Sequence, residues 1–383
     1  MKQHTQRGSE IVPPPQVVNT PEALASLVER LSQEPLVAID TEANSFYAYR
    51  EHVCLIQLSV PGTNYLVDPL ALEDLSSMGP FFISAEVEKV FHAADYDLLV
   101  LHQDLGLKCC HLFDTMWAAR VLGWPKVGLA HILETYFGVH INKRYQRYDW
   151  GRRPLEEEAL TYAWMDSYYL LDLREIQIAE LTAKGRMEEA QEIFQYLCQS
   201  VTEHHEHNSD EHFWRIKGVH DLSAHEQKVL YQLHCWRERT AEALDRPTVK
   251  VMADGRLVRM ARVQPRNRQE LLDANLTPYQ VGRFGSDILE ALRGPWTDVP
   301  DSPFVHARPA PEVVERYHIL KVWRKEIAAQ RGVDSDVILP NAVLWELSEH
   351  PPTSLDDLVG IAGIGPWRRQ AYGPDILRLM RGV

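Results

Sequence analysis

Two carboxylates, Asp40 and Glu42, stand two residues apart in the run "EPLVAIDTEANSF". The apolar residues before them predict a buried β-strand. Successive strand side chains alternate in direction, so both carboxylates share one face and Thr41 takes the other. Like charges that close repel, and a partly buried pair needs a counter-charge or shifts in pKa. A metal ion is the economical counter-charge. Asp97, in "FHAADYDLL", follows a second apolar run and opens a helical pattern. Tyr162 and Asp166, in "LTYAWMDSYYLLDL", are spaced i, i+4 and share one helical face. Singly, each has a plain explanation: a strand-end DxE pair, an acid at a helix start, a surface tyrosine and an ordinary charge. Together, four carboxylates in one cleft balance the charge of two divalent ions, and hard oxygen ligands suit Mg²⁺ or Mn²⁺. Two such ions are built for in-line displacement at a phosphate. Tyr162 would orient the attacking water rather than take its proton, since a phenol with a pKa of ~10 is a poor base at neutral pH.

The elements that must position these groups are readable in order. "NTPEALASLVERLSQ" predicts a helix with Thr20 as N-cap and Pro21 at its first position. The "LVAIDTE" strand follows, then "VCLIQLSV", the turn "PGTN" and "YLVD", which predict an antiparallel hairpin. "VEKVFHA" predicts a further strand running into the helix "DYDLLVLHQDLG", and helices dominate from "DTMWAARVLG" to about residue 199. This order predicts an α/β domain, a mixed sheet with helices packed on it. Gln57 is polar in an otherwise apolar strand, which fits either a structural role or a place in the substrate cleft.

The chain of 383 residues has a net charge of −14, unevenly spread. Residues 1–215 hold 17 Lys+Arg against 32 Asp+Glu, a balance of −15, and residues 216–383 hold 23 against 22, a balance of +1. An acidic first part is not a passive phosphate binder, because phosphate affinity comes from clustered Lys and Arg. It suits a site that recruits divalent cations first. No apolar stretch reaches the ~18–20 residues that span a bilayer, and "MKQHTQRGSEIVPPPQVV" has no signal-peptide core. Five cysteines form no CxxC pair, and an odd count argues against a disulfide framework. A cytoplasmic protein with no membrane association and no obligate protein partner is expected.

Residues 201–215 predict a polar, His-rich linker, where solvation is favoured over metal binding because no metal-site spacing is present. Residues 294–312 carry five prolines and predict a second, semi-rigid linker. Beyond the first linker the chain repeats itself. "CWRERTAEALDRPTVKVM" aligns with "VWRKEIAAQRGVDSDVIL" at an offset of 87, and "GRFGSDILEALRG" with "RQAYGPDILRLMRG" at 88. Two copies of a helical module of about 75 residues follow from this. In the first copy Arg256, Arg259, Arg262, Arg266 and Arg268 fall within 13 residues, the first three on one helical face. In the second, Gly363-Ile364-Gly365 resembles the phosphate-contacting turn of a helix-hairpin-helix motif, and a plain helix-to-helix turn explains it equally well.

"DTE … HAADYD … YAWMD" resembles the three exonuclease motifs of the DEDD superfamily, in its Tyr-containing branch. "INKRYQRYDWGRRPLEEEALTYAWMDSYYLLDL" is similar to the signature of the ribonuclease D family, as are "YLVDPLAL" and "GLAHILETYFGVHINK". The repeats resemble HRDC (helicase and RNase D C-terminal) modules. The resemblance implies a ribonuclease H-like mixed-sheet exonuclease domain over residues 20–200 after a tail of 1–19. Two small all-α HRDC-like domains would follow, at 216–294 and, after the Pro-rich linker 295–312, at 313–383.

By the same resemblance Asp40, Glu42, Asp97 and Asp166 are the ligands of two Mg²⁺ or Mn²⁺ ions, and Tyr162 orients the water. The other branch places a histidine where Thr161 stands, which favours the Tyr branch. Asp95 competes with Asp97, and the family spacing from His92 favours Asp97. Lys143 and Arg152, ahead of the catalytic helix, and Arg256, Arg259 and Arg262 are candidates for nucleic-acid contact. Trp150 is expected in the core, with Asp149 capping or pairing with Arg153. The implied activity is 3′→5′ exoribonucleolytic trimming of structured RNA such as tRNA precursors, releasing nucleoside 5′-monophosphates. A DNA exonuclease would use the same site, since no residue identified reads a 2′-hydroxyl. A non-catalytic RNA-binding protein would be marked by loss of a carboxylate, and all four are present.

Overall fold

The computed structural model describes residues 14–141, 143–200, 209–302 and 309–381. They divide into two compact units. One comprises the chain to Ala43, from Val53 to the first linker, and from Pro309 onward; the other comprises Asn44–His52 with the segment between the two linkers.

In the first unit a six-stranded sheet runs in the order β1-β4-β3-β2-β5-β6, from β1 (Gln16–Val18), β2 (Leu36–Ala43), β3 (Val53–Val60), β4 (Thr63–Val67), β5 (Glu88–Phe91) and β6 (Leu112–Asp114). β3 is antiparallel to both β2 and β4, while β1/β4, β2/β5 and β5/β6 are parallel, so the sheet is mixed as the element order predicts. The three-residue strands β1 and β6 are too short for a period-2 pattern to announce them, and Gln16–Val18, expected within the tail of residues 1–19, instead pairs with β4 at the edge of the sheet. Every residue of β3 is buried, which is why its sequence is nearly continuous in apolar residues.

The helices of this domain are α1 (Pro21–Leu31), α2 (Gly79–Ile83), α3 (Asp95–Leu105), α4 (Thr115–Leu122), α5 (Leu129–Phe137), α6 (Glu157–Tyr168), α7 (Leu170–Ala183) and α8 (Met187–Ser200). Thr20 caps α1 through its side chain, with Pro21 in the first turn. The main core, including Leu27, Ile39, Leu58, Phe91 and Phe113, lies between sheet and helices. A smaller core sets Leu55 and Leu66 with Trp150, Ala159 and Ala163, seating α6 on β3.

The second helical repeat belongs to this same unit, as α15 (Pro311–Arg331), α16 (Ser335–Ile338), α17 (Asn341–Glu349) and α18 (Pro366–Met380). It lies against the exonuclease domain so closely that a Cβ at Gly123 would stand 2.6 Å from the carbonyl oxygen of Gly332.

The second unit holds α9 (Ser209–Trp214), α10 (Ala224–Ala243), α11 (Thr248–Val251), α12 (Asp254–Val263), α13 (Arg268–Asp273) and α14 (Pro278–Arg293). Residues 209–214, which composition assigns to a linker, instead form α9, because Phe213 supplies a fully buried ring to this core. The rest of the His-rich stretch, residues 201–208, lies outside the described residues, as do 1–13 of the expected tail and 303–308 of the Pro-rich segment. The loop Asn44–His52, between β2 and β3, packs here too: the Tyr49 hydroxyl donates to Glu238 at 3.2 Å and Arg50 pairs with Glu242 at 2.9 Å.

The repeat read from sequence recurs in detail. Arg237 donates to the carbonyl of Met252 and Arg324 to that of Leu339, at 3.1 and 2.8 Å. Gln280 donates to Val251 and Arg368 to Ile338. Trp236 meets Phe284, and Trp323 meets Tyr372, each pair edge-on with centroids 5.8 Å apart. Among the described residues no helix is long and apolar enough to cross a membrane.

Candidate active site

β2 presents Asp40 and Glu42 on one face, opposite Gln57 and Leu55 of β3, before a register shift at Glu42/Ala43 releases the chain into the loop. α6 brings a third carboxylate to that face. Ligand oxygens of Asp40, Glu42 and Asp166 all lie within 4.8 Å of one another. Asp166 sits in the last turn of α6, which ends at Tyr168. Tyr162, one turn earlier, stands beside the Asp166 carboxylate and favours its charged form. Its ring is wedged against Tyr145 and Trp150. Asp97, in the first turn of α3, is buried and reaches β2 differently: its Oδ1 accepts from the backbone N–H of Thr41 at 3.0 Å and from the Thr41 hydroxyl at 2.5 Å. Thr41, the residue on the other strand face, therefore ties Asp97 to the strand between the two motif carboxylates.

These groups are charged against the preference of their surroundings. Burial first, then repulsion from Asp97, Asp166 and Glu42, pushes Asp40 well above the ordinary carboxylate range. Glu42 is raised by burial and then by Asp166 and Asp97. Burial raises Asp97 to about 7 in spite of the Thr41 hydrogen bonds, and Asp166 to about 7 in spite of Tyr162. The Tyr162 phenol is pushed upward by burial and by the carboxylates around it, so it stays protonated and can donate but not accept a proton at neutral pH. Among the described residues none of the four carboxylates forms an ion pair with Lys, Arg or His. An all-oxygen donor set with unbalanced negative charge fits a hard divalent cation.

Several positioning groups escape sequence reasoning. Asp114, at the end of β6, caps α4 through Trp117 N–H at 2.9 Å and also accepts from Ala93 and Ala94 N–H at 3.2 and 2.7 Å. Ala93 has a φ of 64°, which costs a residue with a Cβ, and Asp114 pins that turn immediately ahead of α3. An Asp before a helical pattern signals the cap; its hold on residues 93–94 needs the parallel pairing of β5 with β6. Arg153 fixes the entry to α6: it makes a two-pronged bond to Asp68 at 2.8 and 2.6 Å and donates to the carbonyls of Cys54 and Trp150. The expected Asp149–Arg153 pairing is thus replaced by Asp68, which β4 delivers to the guanidinium. Trp150 is in the core as expected, 1% exposed. The Gln57 side chain is fully buried, and among the described residues neither end of its amide has a hydrogen-bond partner.

The remaining candidates are not among the carboxylates gathered at this face. Asp95 is exposed and accepts from the Trp117 indole N–H, so the second motif contributes Asp97. Arg152 is exposed in the loop before α6. Lys143 lies in a 3-10 turn, and its side chain is outside the described residues. Arg256, Arg259 and Arg262 belong to α12 in the other compact unit, with Arg259 and Arg262 exposed and Arg259 donating to the Asp273 carbonyl.

Residues 15–180 match the family model of the 3′-5′ exonuclease domain, and residues 226–292 and 314–380 each match the HRDC domain. Fold, carboxylate cluster and repeats therefore define a 3′→5′ exonuclease with appended HRDC domains. A curated ribonuclease D of Gluconacetobacter diazotrophicus is 29% identical over 381 residues, covering 97% of this chain and 94% of the relative. The crystal structure of Escherichia coli RNase D, an exoribonuclease involved in structured RNA processing, matches with a TM-score of 0.71 at 25% identity, covering 96% of this chain and 99% of that one. The catalytic core of RRP6 from Trypanosoma brucei matches with a TM-score of 0.65 at 27% identity, covering 76% and 82%. Over nearly its whole length the chain is similar to ribonuclease D, with the 3′-5′ exonuclease domain followed by two HRDC domains.

Proposed function

We propose that this 3′→5′ exoribonuclease shortens structured RNA, such as tRNA precursors with extra 3′ residues, one nucleoside 5′-monophosphate at a time. In this reading Asp40, Glu42, Asp97 and Asp166 hold two divalent ions, Mg²⁺ or Mn²⁺, and the protein works in the cytoplasm. The observation that carries it is the gathering of Asp40, Glu42 and Asp166 within 4.8 Å at a half-buried face with no cationic partner among the described residues. When bound, the ions supply Lewis acidity at the scissile phosphate and its attacking water. Asp40 and Glu42 offer oxygens from one rigid strand face, and Thr41 fixes the orientation of Asp97 from behind. Tyr162 keeps its proton and donates, so it orients Asp166 and the attacking water without acting as the base. Lys143, Arg152, Arg256, Arg259 and Arg262 are assigned to the RNA backbone, where positive charge positions the strand without reading its sequence.

The test is a trimming assay on a tRNA with a short 3′ extension, run beside single-stranded DNA of matched sequence, with Mn²⁺, Mg²⁺ or chelator. Stepwise, metal-dependent shortening of the RNA supports the reading. Shortening of DNA alone would overturn the substrate, and binding of RNA without shortening would overturn the activity.

A further inference from the structure

The Gly363-Ile364-Gly365 turn feeds directly into α18, a fifteen-residue helix whose N-terminus has its backbone N–H groups exposed to any nearby anion. The anion present there is a side chain of the exonuclease domain. Glu192 of α8 places Oε2 2.8 Å from the N–H of Trp367 and 3.3 Å from that of Arg368, and its Oε1 stands 3.5 Å from the Arg368 guanidinium. Gly365 is the N-cap and brings no capping side chain. A Cβ there would fall 2.4 Å from the Glu192 carboxyl carbon, although φ is −87°, a value any residue adopts. The space a side chain would take at the second glycine is therefore filled by the Glu192 carboxyl group, while the backbone conformation there would admit any residue.

The first repeat caps the same position with its own side chains. Thr277 stands where Gly365 does: its hydroxyl accepts from Gln280 N–H at 3.2 Å, and its own N–H donates back to the Gln280 side-chain oxygen at 3.2 Å, closing a capping box. Two other positions change in the same sense. Leu244 corresponds to Arg331, whose two nitrogens hold the fully buried Glu189 of α8 at 2.7 and 2.5 Å. Val249, 63% exposed, corresponds to Asp336, which takes a two-pronged bond from Arg120 of α4 at 2.5 and 2.6 Å. At each of these three positions the second copy carries a residue that lets it engage the exonuclease domain.

We propose that the Gly363–Gly365 turn and the N-terminus of α18 form a receptor for the Glu192 carboxylate, which fixes the second HRDC module to the exonuclease domain as a permanent brace. The turn that resembles a phosphate cradle is filled from within the chain and takes no part in nucleic-acid contact. This inference does not depend on the substrate assigned above, because its readout is structural.

The experiment is hydrogen–deuterium exchange on the full chain, with RNA affinity measured in chelator. Glu192→Ala is expected to raise exchange on the order of tenfold or more in the peptides covering 187–200 and 363–380, with RNA affinity within about twofold of wild type. Gly365→Ala should be destabilising in the wild type and close to neutral in a Glu192→Ala background, since the colliding carboxyl is gone. Glu192→Ala/Gly365→Thr should restore protection at the start of α18, by recreating the Thr277 cap, but not in α8. If Glu192→Ala prevents folding, Glu192→Gln, which keeps an acceptor and loses the charge, is measured in its place. Unchanged exchange in the Glu192 variants would overturn the proposal, as would equal cost of Gly365→Ala in both backgrounds. Lost RNA affinity with unchanged exchange would instead assign the turn to nucleic acid.

Discussion

The first compact unit contains two groups of buried carboxylates that solve the same problem in opposite ways. Glu189 and Glu192 are buried, and the chain answers them itself: Arg331 takes Glu189, while the α18 N–H groups and Arg368 take Glu192. Asp40, Glu42, Asp97 and Asp166 are also drawn into low-dielectric surroundings, yet among the described residues they meet only hydroxyl and N–H donors and one another. A buried charge left without a counter-ion is costly, and the carboxylates rise in pKa as a result. The first group is neutralised within the fold and serves stability. The second is held ready for a charge that the polypeptide does not provide. Burial of acid side chains alone does not mark a site; the identity of what compensates them does.

The sharpest way to break this contrast is to neutralise one member of each group. Asp166→Asn should reduce RNA hydrolysis to background, at least ~10³-fold, by removing charge at nearly constant shape, while thermal stability without metal stays level or rises because repulsion is relieved. A single-turnover assay and a melting curve on the same sample check both halves. Glu189→Gln should do the reverse. Leaving Arg331 buried without its partner costs about 3–5 kcal/mol of stability, and single-turnover hydrolysis by the folded fraction should stay within a few-fold of wild type. Tyr162→Phe should slow the chemical step roughly 10- to 100-fold, as expected for a lost orienting contact, with metal affinity unchanged in a direct titration.

A smaller effect sharpens the comparison through pH. Asp97 and Asp166 titrate near 7 in the folded metal-free protein against 3.8 ordinarily, so between those values the folded state binds more protons than the unfolded one. Their contribution is fully present below the unfolded value and is lost as pH rises through about 7. Melting temperatures in chelator should therefore fall less steeply between pH 5 and pH 8 in Asp166→Asn than in wild type. An identical slope would show that the cluster does not carry this proton linkage.

Much of this was legible in sequence because it is local. Strand alternation put Asp40 and Glu42 on one face, i, i+4 spacing joined Tyr162 to Asp166, Thr20 and Pro21 announced α1, and the offset of 87 or 88 aligned side chains that make equivalent hydrogen bonds. What escaped depends on contacts between distant segments. The Thr41–Asp97 tether spans 56 residues, and the Arg153–Asp68 pair spans 85 and displaced the nearer Asp149. Asp114 reads locally as a helix cap, and only the β5–β6 pairing gives it the turn at Ala93 as well. Glu192 looks like one more acid on an amphipathic helix until α18 arrives beside it from 175 residues away. Residues 209–214 failed for another reason: their polar composition masked the two rings, Phe213 and Trp214, that make them part of a core.

The fold leaves the carboxylate charge of β2, α3 and α6 to be balanced by divalent ions. Mn²⁺ binding to the full-length protein, followed by calorimetry or electron paramagnetic resonance, tests it without any RNA. The account predicts about two ions per chain, with binding weakened or lost in Asp40→Asn and in Asp166→Asn and retained in Glu192→Gln. Binding of no ion by the wild type, or equal binding by Asp40→Asn, would contradict it.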